Sequence, residues 1–445
     1  MNPSYRKYLY AALVVFCTVF TAFIFYNGGK KSNLPELKPR QGVLANAPEW
    51  ATTQANVKKL RQELETKPED ARTLLMLAKE YMQEGRVTGD YSYYNKAALD
   101  IINMVLLKDP RNFEAICLKS MVFLSQHRFA EGKEVAMEAM KTNPYNSFVY
   151  GLLCDANVEL GSYDDAVKMA DKMVTIRPDI RSYSRVSYIR EIFGDIPGSI
   201  EAIKMAVSAG YPGQEDTEWA RMVLGHLYED TNNLDKATEQ YQTALRERPD
   251  YPFALAGMGR IAMYKKDYPG AIEYFEKARK IMTDVSFLEQ LTVLYRLNNQ
   301  TKEADEYARV TLNALLADNI TAQKNQDQGH YSDMELANLY LQQNEPAKAL
   351  PHAQTEHQRR PQNIDASETL AWTLYRNGQT KEALEYVTTI LRTNSQHPER
   401  LVKMGVIMAA NGQTKEGTDL INKGLSLKPY MEESLVKIAQ PFTGR

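Results

Sequence analysis

The side chains able to do chemistry in this chain are few and scattered. The histidines are His127, His226, His330, His352, His357 and His397. Paired imidazole ligands on one helix face need an i, i+4 spacing, as in His-Glu-x-x-His. The closest pair, His352 and His357, is five positions apart, so no metal site is expected. The cysteines form no Cys-x-x-Cys: Cys17 lies in an apolar N-terminal run, while Cys117 and Cys154 read as small apolar fillers and buried free thiols. No phosphate-cradling Gly-x4-Gly-Lys-Ser/Thr and no Gly-x-Ser-x-Gly is present. Gly257-Met258-Gly259 reads as helix-packing glycine, and Trp372 with the many tyrosines as core or groove aromatics. No catalytic residue, cofactor site or metal site is therefore expected, and the reading is a binding protein, not an enzyme. A catalyst would have to assemble a deep polar pocket from distant parts of the chain.

Those distant parts follow a fixed period. Pro110, Pro144, Pro178 and Pro212 are spaced 34 residues apart, the period of a stacked helix–turn–helix unit. The clearest copy runs Arg221-x2-Leu224-Gly225-x2-Tyr228, then Ala237-x3-Tyr241-x2-Ala244, closing at Pro249. Small residues recur where two helices must touch: Gly225 with Ala237, Gly259 with Ala271, Cys154 with Ala166, Ala371 with Ala383, Gly405 with Gly417. Gly85, Gly161, Gly194, Gly378 and Gly412 fall where the first helix of a unit should end in a left-handed cap.

This pattern resembles the tetratricopeptide-repeat (TPR) family, lacking only the opening tryptophan of the signature W-x2-L-G-x2-Y, A-x3-F, P. The segments Tyr183–Glu191 and Leu370–Gly378 are similar to membrane-anchored, TPR-only bacterial proteins without an assigned reaction. The expected fold is all-α, a right-handed superhelical solenoid of ten units plus caps behind one N-terminal transmembrane helix. The resemblance implies a scaffold whose concave groove, lined by the first helix of each unit, takes a protein or peptide. Groove positions in the middle units are Arg181, Tyr188, Trp219, Met222, His226, Glu229, Phe253, Arg260, Met263, Tyr264 and Arg296. Exposed aromatic and arginine side chains are the types enriched in binding hot spots. The Lys/Asn clamp that some family members close on chaperone tails is absent: its positions hold Leu75 and Lys79, Cys117 and Met121, Gly151 and Asp155.

The domain reading is a basic tail at 1–7, a membrane helix at 8–26, a linker at 27–47 and a capping helix at 48–70. Seven units follow over 71–316, an insertion at 317–329, three units over 330–429, and a C-terminal cap and tail at 430–445. About six extra residues near Arg86–Tyr94 are expected to lengthen a loop, and 317–329 reads as an extended helix end or a loop. Tyr8–Tyr26 carries no charge over 19 residues, roughly 28 Å as a helix, enough for a bilayer core. It ends in bulky Phe23-Ile24-Phe25-Tyr26 with no small-x-small site, which favours an uncleaved anchor over a cleaved export signal. Arg6 and Lys7 precede it; Lys30, Lys31, Lys38 and Arg40 follow and compete as topogenic charges. The expected placement is single-pass, with the repeats outside the inner membrane. With 25% charged residues and a net charge of −2, the chain has no electrostatic footprint for nucleic acid.

Overall fold

The computed structural model describes residues 34–445 apart from 283, 428–429 and 444–445. The expected membrane helix at 8–26 lies outside the described residues. Among those described, no helix is long and apolar enough to cross a membrane, and there is no strand.

Helix α1 (Pro48–Thr66) precedes a series of antiparallel helix pairs. In chain order these are α2 (Ala71–Thr88) with α3 (Tyr91–Lys108), α4 (Phe113–Ser125) with α5 (Phe129–Thr142), and α6 (Ser147–Glu159) with α7 (Tyr163–Ile176). Then come α8 (Ile180–Ile192) with α9 (Ile196–Ala209), α10 (Glu215–Asp230) with α11 (Leu234–Glu247), and α12 (Pro252–Tyr264) with α13 (Tyr268–Ile281). The last four pairs are α14 (Val285–Leu297) with α15 (Thr301–Lys324), α16 (Asp333–Gln342) with α17 (Pro346–Arg359), α18 (Ile364–Arg376) with α19 (Thr380–Leu391), and α20 (Pro398–Ala410) with α21 (Thr414–Leu427). Helix α22 (Glu433–Ala439) closes the chain against α20. First helices of neighbouring pairs touch side by side from α2 to α12 and again from α16 to α20, forming the inner surface.

Local chemistry sets the turns. Asp or Asn side chains accept backbone N–H groups at the start of many helices, among them Asp70, Asn112, Asp179, Asp267 and Asn363. Each turn inside a pair holds one residue at positive φ: Gly89, His127, Gly161, Gly194, Asn232, Lys266, Asn299, Asn344, Gly378 and Gly412. Gly85 is not one of them. It sits inside α2, and the cap moves to Gly89 at φ 76°. The extra residues near Arg86–Tyr94 thus lengthen the two helices, each of 18 residues, not the loop. Likewise α15 runs on through residues 317–324 for 24 residues in all.

The glycines allow helices to close on rings. A β-carbon on Gly225 would lie 2.2 Å from the Tyr241 ring, one on Gly257 2.8 Å from the same ring, and one on Gly259 2.7 Å from Phe275. Gly405 and Gly417 approach backbone to backbone. Cys117 and Cys154 are free and buried, and burial pushes both thiols up to about 12.

Two arrangements depart from a simple open stack. Residues 34–47 form no free linker but a strap lying on the array. Leu34 is buried in the first core cluster, and Leu44 packs among the residues around Phe275. The Pro35 carbonyl accepts from the Tyr81 hydroxyl at 2.5 Å, the Lys38 ammonium pairs with Asp90 at 2.7 Å, and the Arg40 guanidinium grips Glu84 at 2.5 and 3.0 Å. Lys38 and Arg40, expected as topogenic charges, each pair with an acid of the first helical pair, Lys38 at the surface and Arg40 in the interior. Second, the array closes on itself. The turns of the second to fourth pairs dock against loops about two hundred residues later. Asn363 Nδ2 donates to the carbonyls of Val158 and Glu159 at 3.3 and 3.1 Å, and Ile364 N–H to the Tyr163 hydroxyl at 3.0 Å. Arg360 pairs with Glu159 at 2.5 Å and Arg392 donates to the Gly161 carbonyl at 2.7 Å.

Candidate functional site

The residues expected to line a groove divide into three groups. Met222 and Met263 are buried at 2% and 5% exposure. They pack within core clusters and are not groove residues: each falls on the side of its helix that meets neighbouring helices. Glu229, Arg260 and Tyr264 form a structural knot. Glu229 is buried; Arg260 Nε lies 3.0 Å from it, Tyr264 donates at 2.9 Å, and the Tyr241 hydroxyl donates to its other oxygen. Burial alone would raise this carboxyl, but the Arg260 charge and these bonds bring it down to about 2. His226 sits at the edge of the knot, its Nε2 3.0 Å from the Arg260 guanidinium. Arg181, Tyr188, Trp219 and Arg296 are exposed, and Trp219 stands edge-on to half-buried Phe253 at 5.2 Å.

The first helices of later pairs build a different concavity. A chamber of about 490 Å³ opens between α8, α14, α16, α18, α20 and the start of α22. Tyr188 is the groove residue that lines it. Its walls are dominated by titratable groups. Glu368 is held by Arg400 at 2.7 Å and Lys403 at 2.9 Å. Although burial pushes the other way, those two cations hold the Glu368 carboxyl far below the ordinary range. Arg400 also bonds Asp365, and Ser395 at 2.9 Å. This cluster is internally neutralised.

Glu191 on α8 and Glu289 on α14 differ. Both line the chamber, and among the described residues neither side chain makes a hydrogen bond or an ion pair. Burial pushes each up to about 7; for Glu191 Asp230 adds to the rise and the Arg400 charge opposes it, and for Glu289 Glu335 and Asp284 add to it. A cation entering beside them would restore the charged form. No linear signal joins the two, which lie 98 positions apart. Histidines that look scattered also converge: His127 and His330 stand ring against ring at 5.0 Å, beside Glu335.

A stack of antiparallel helical pairs around a polar interior chamber defines a repeat-built helical array. Tetratricopeptide-repeat patterns match residues 222–284 and 340–404, which supports the repeat reading of the helical pairs. It is 25% identical over 187 residues to Protein O-mannosyl-transferase TMTC1 of Homo sapiens, covering 42% of this chain and 21% of that protein. It is 23% identical over 283 residues to Anaphase-promoting complex subunit CDC16 of Saccharomyces cerevisiae, covering 63% of this chain and 30% of that one. It thus spans less than a third of the length of either relative. Among solved structures it is similar to the APC/C hetero-tetramer Cut9-Hcn1, with 17% identity, a TM-score of 0.44, and coverage of 74% of this chain and 64% of that one.

Proposed function

We propose that the chain is a membrane-tethered scaffold that docks a protein segment in its interior chamber, and that the segment carries a lysine or arginine. The observation that supports this reading is the pair Glu191 and Glu289, which line the chamber without a hydrogen bond or ion pair to either side chain among the described residues; Arg400, already bound to Glu368 and Asp365, acts on Glu191 only from a distance. A half-buried carboxyl without an ion-pair partner is costly as a charge, and an incoming ammonium or guanidinium removes that cost. Tyr188, at 43% exposure, offers an apolar face for the stem of such a side chain. Arg181, Trp219 and Arg296, exposed on first helices, are outer contacts in this reading. The tether is the uncharged run 8–26, with the repeats on the periplasmic side if the chain is bacterial; the rival is export after cleavage of that run. Retention in membranes through a carbonate wash supports the tether, and a mature N-terminus beyond Tyr26 removes it.

The docking claim is tested with peptide libraries on a chain beginning at residue 34, so that the strap is kept. Lysine- and arginine-bearing peptides should bind, and Glu191→Gln with Glu289→Gln should weaken them by at least about tenfold, one charge-assisted contact being worth roughly 1.5–3 kcal/mol. Binding that ignores peptide charge, or that survives the double variant, overturns the reading.

The same two carboxyls favour a second reading, acid–base catalysis in the chamber. A deep pocket of converging titratable groups was the feature expected of a catalyst, and groups near 7 are poised for proton transfer at neutral pH. Repeats of this kind typically bind and do not catalyse, and the O-mannosyl-transferase named in the relative is matched over only 21% of its length. Chemical change in a captured ligand, lost in the double variant, would decide for catalysis.

A further inference from the structure

We infer that His127, His330 and Glu335 form a zinc site that ties the second helical pair to the loop before α16. The three donors lie within 4.8 Å of one another, although His127 and His330 are 203 positions apart in the chain. His127 occupies the turn between α4 and α5 at φ 59°, where other pairs place glycine, asparagine or lysine. Its Nδ1 lies 3.0 Å from the Tyr331 carbonyl. A carbonyl only accepts, so the ring proton belongs on Nδ1 and the Nε2 lone pair is left free, the second-shell arrangement that orients metal-binding histidines. His330 meets the Ser332 hydroxyl through Nε2 at 3.1 Å. With the hydroxyl accepting, the lone pair falls on Nδ1, on the side that Asp318 flanks at 3.8 Å.

Glu335, in the first turn of α16, supplies the third donor and the second observation. Its Oε2 is fully buried and has no hydrogen-bond partner, an arrangement that calls for a counter-ion or a proton. The nearby arginines do not supply it: Arg359 is taken by Asp333 at 2.7 Å, and Arg360 by Glu356 at 2.6 Å and Glu159 at 2.5 Å. Two imidazole nitrogens and one carboxylate oxygen match the donor set of zinc sites that keep a fourth position open. Bonds of about 2.0–2.1 Å would place tetrahedral donors roughly 3.4 Å apart, so donors now within 4.8 Å of one another close by up to about 1.4 Å on loading.

The test uses protein stripped with a chelator and titrated with Zn²⁺ alone, with Co²⁺ absorption as a second probe. The expected result is one ion per chain, a melting temperature that climbs with zinc concentration, and four-coordinate cobalt bands. Glu335→Gln and His330→Ala should each weaken zinc by more than the roughly 10–100-fold that loss of an outer-shell partner costs. Metal-free Glu335→Gln should melt no lower than the parent, since it removes an unpaired buried acid, and this separates lost metal from lost fold. Failure of the stripped parent to take up one added zinc ion per chain overturns the assignment. So does zinc binding that both variants retain.

Discussion

Gly161 faces Gln362 so closely across the closure of the array that a β-carbon on the glycine would lie 2.1 Å from the Gln362 carbonyl. Gly161 stands at φ 76°, and Gly378, the equivalent cap of a later pair, at φ 80° with nothing within 4 Å of its missing β-carbon. Alanine strains both backbones alike, so the difference between the two variants isolates the contact. Gly161→Ala should cost roughly 1–3 kcal/mol more than Gly378→Ala in urea denaturation, the range for overpacking a filled site. Equal losses would mean that these loops do not meet.

The strap makes an equally sharp case. Arg40 and Glu84 side chains are both 1% exposed. Arg40→Met leaves a buried carboxylate alone and should cost about 3–5 kcal/mol. Adding Glu84→Gln should recover most of that loss, because the uncompensated charge is gone. A double variant no better than the single one would remove the pair as the strap's anchor.

Arg260 looks like a groove arginine but is a structural one. Arg260→Glu would set a second carboxylate against Glu229, and it should destabilise by more than about 3 kcal/mol, as breaking a buried pair does. Trp219→Ala should cost only about 0.5–1.5 kcal/mol, the worth of its edge contact with Phe253. Thermal melts of the two variants check this, and comparable melts would contradict it.

Stability against pH should carry two opposed signs. Glu229 sits at about 2 when folded against a reference of 4.5. Its contribution is present above the reference value and lost as pH falls through the folded one. Glu191 and Glu289 are raised to about 7 from 4.5, so the folded chain binds their protons more tightly and stability falls as pH rises between those values. Melting temperature should therefore drop from about pH 5 to pH 8, and Glu191→Gln with Glu289→Gln should make the slope shallower, leaving the share of Glu159, which burial also raises to about 7. Peptide capture should show the reverse trend, strengthening as the two carboxyls ionise. A slope unchanged in the double variant would take these groups out of the account.

The repeat was legible because its physics is local. Pro110, Pro144, Pro178 and Pro212 stop helices, and Gly225, Gly259 and Ala371 mark contacts within a few tens of residues. Periodicity also separated buried from exposed faces, but only coarsely: Met222 and Met263 were one helix face away from where counting positions put them. What stayed hidden depends on partners far along the chain. Nothing near His127 announces His330, nothing near Glu191 announces Glu289, and nothing near Gly161 announces Gln362. Lys38 and Arg40 show the same limit from the other side. The sequence near them shows basic residues beside an apolar run and nothing of their partners Asp90 and Glu84, which lie more than forty positions on.

The strap also decides how the array would respond to mechanical load. A pull on the chain at Leu34 does not reach α2 directly. It runs first through Pro35, Lys38 and Arg40, whose bonds to Tyr81, Asp90 and Glu84 lie on the first helical pair. It then passes to Leu44 and to Glu49, which pairs with Arg248 at 3.4 Å near the end of α11. Tension is thereby shared between the first pair and the middle of the array, and these cross-links resist it together. A tug on the leading segment loads the ring as a whole before it can peel one hairpin away.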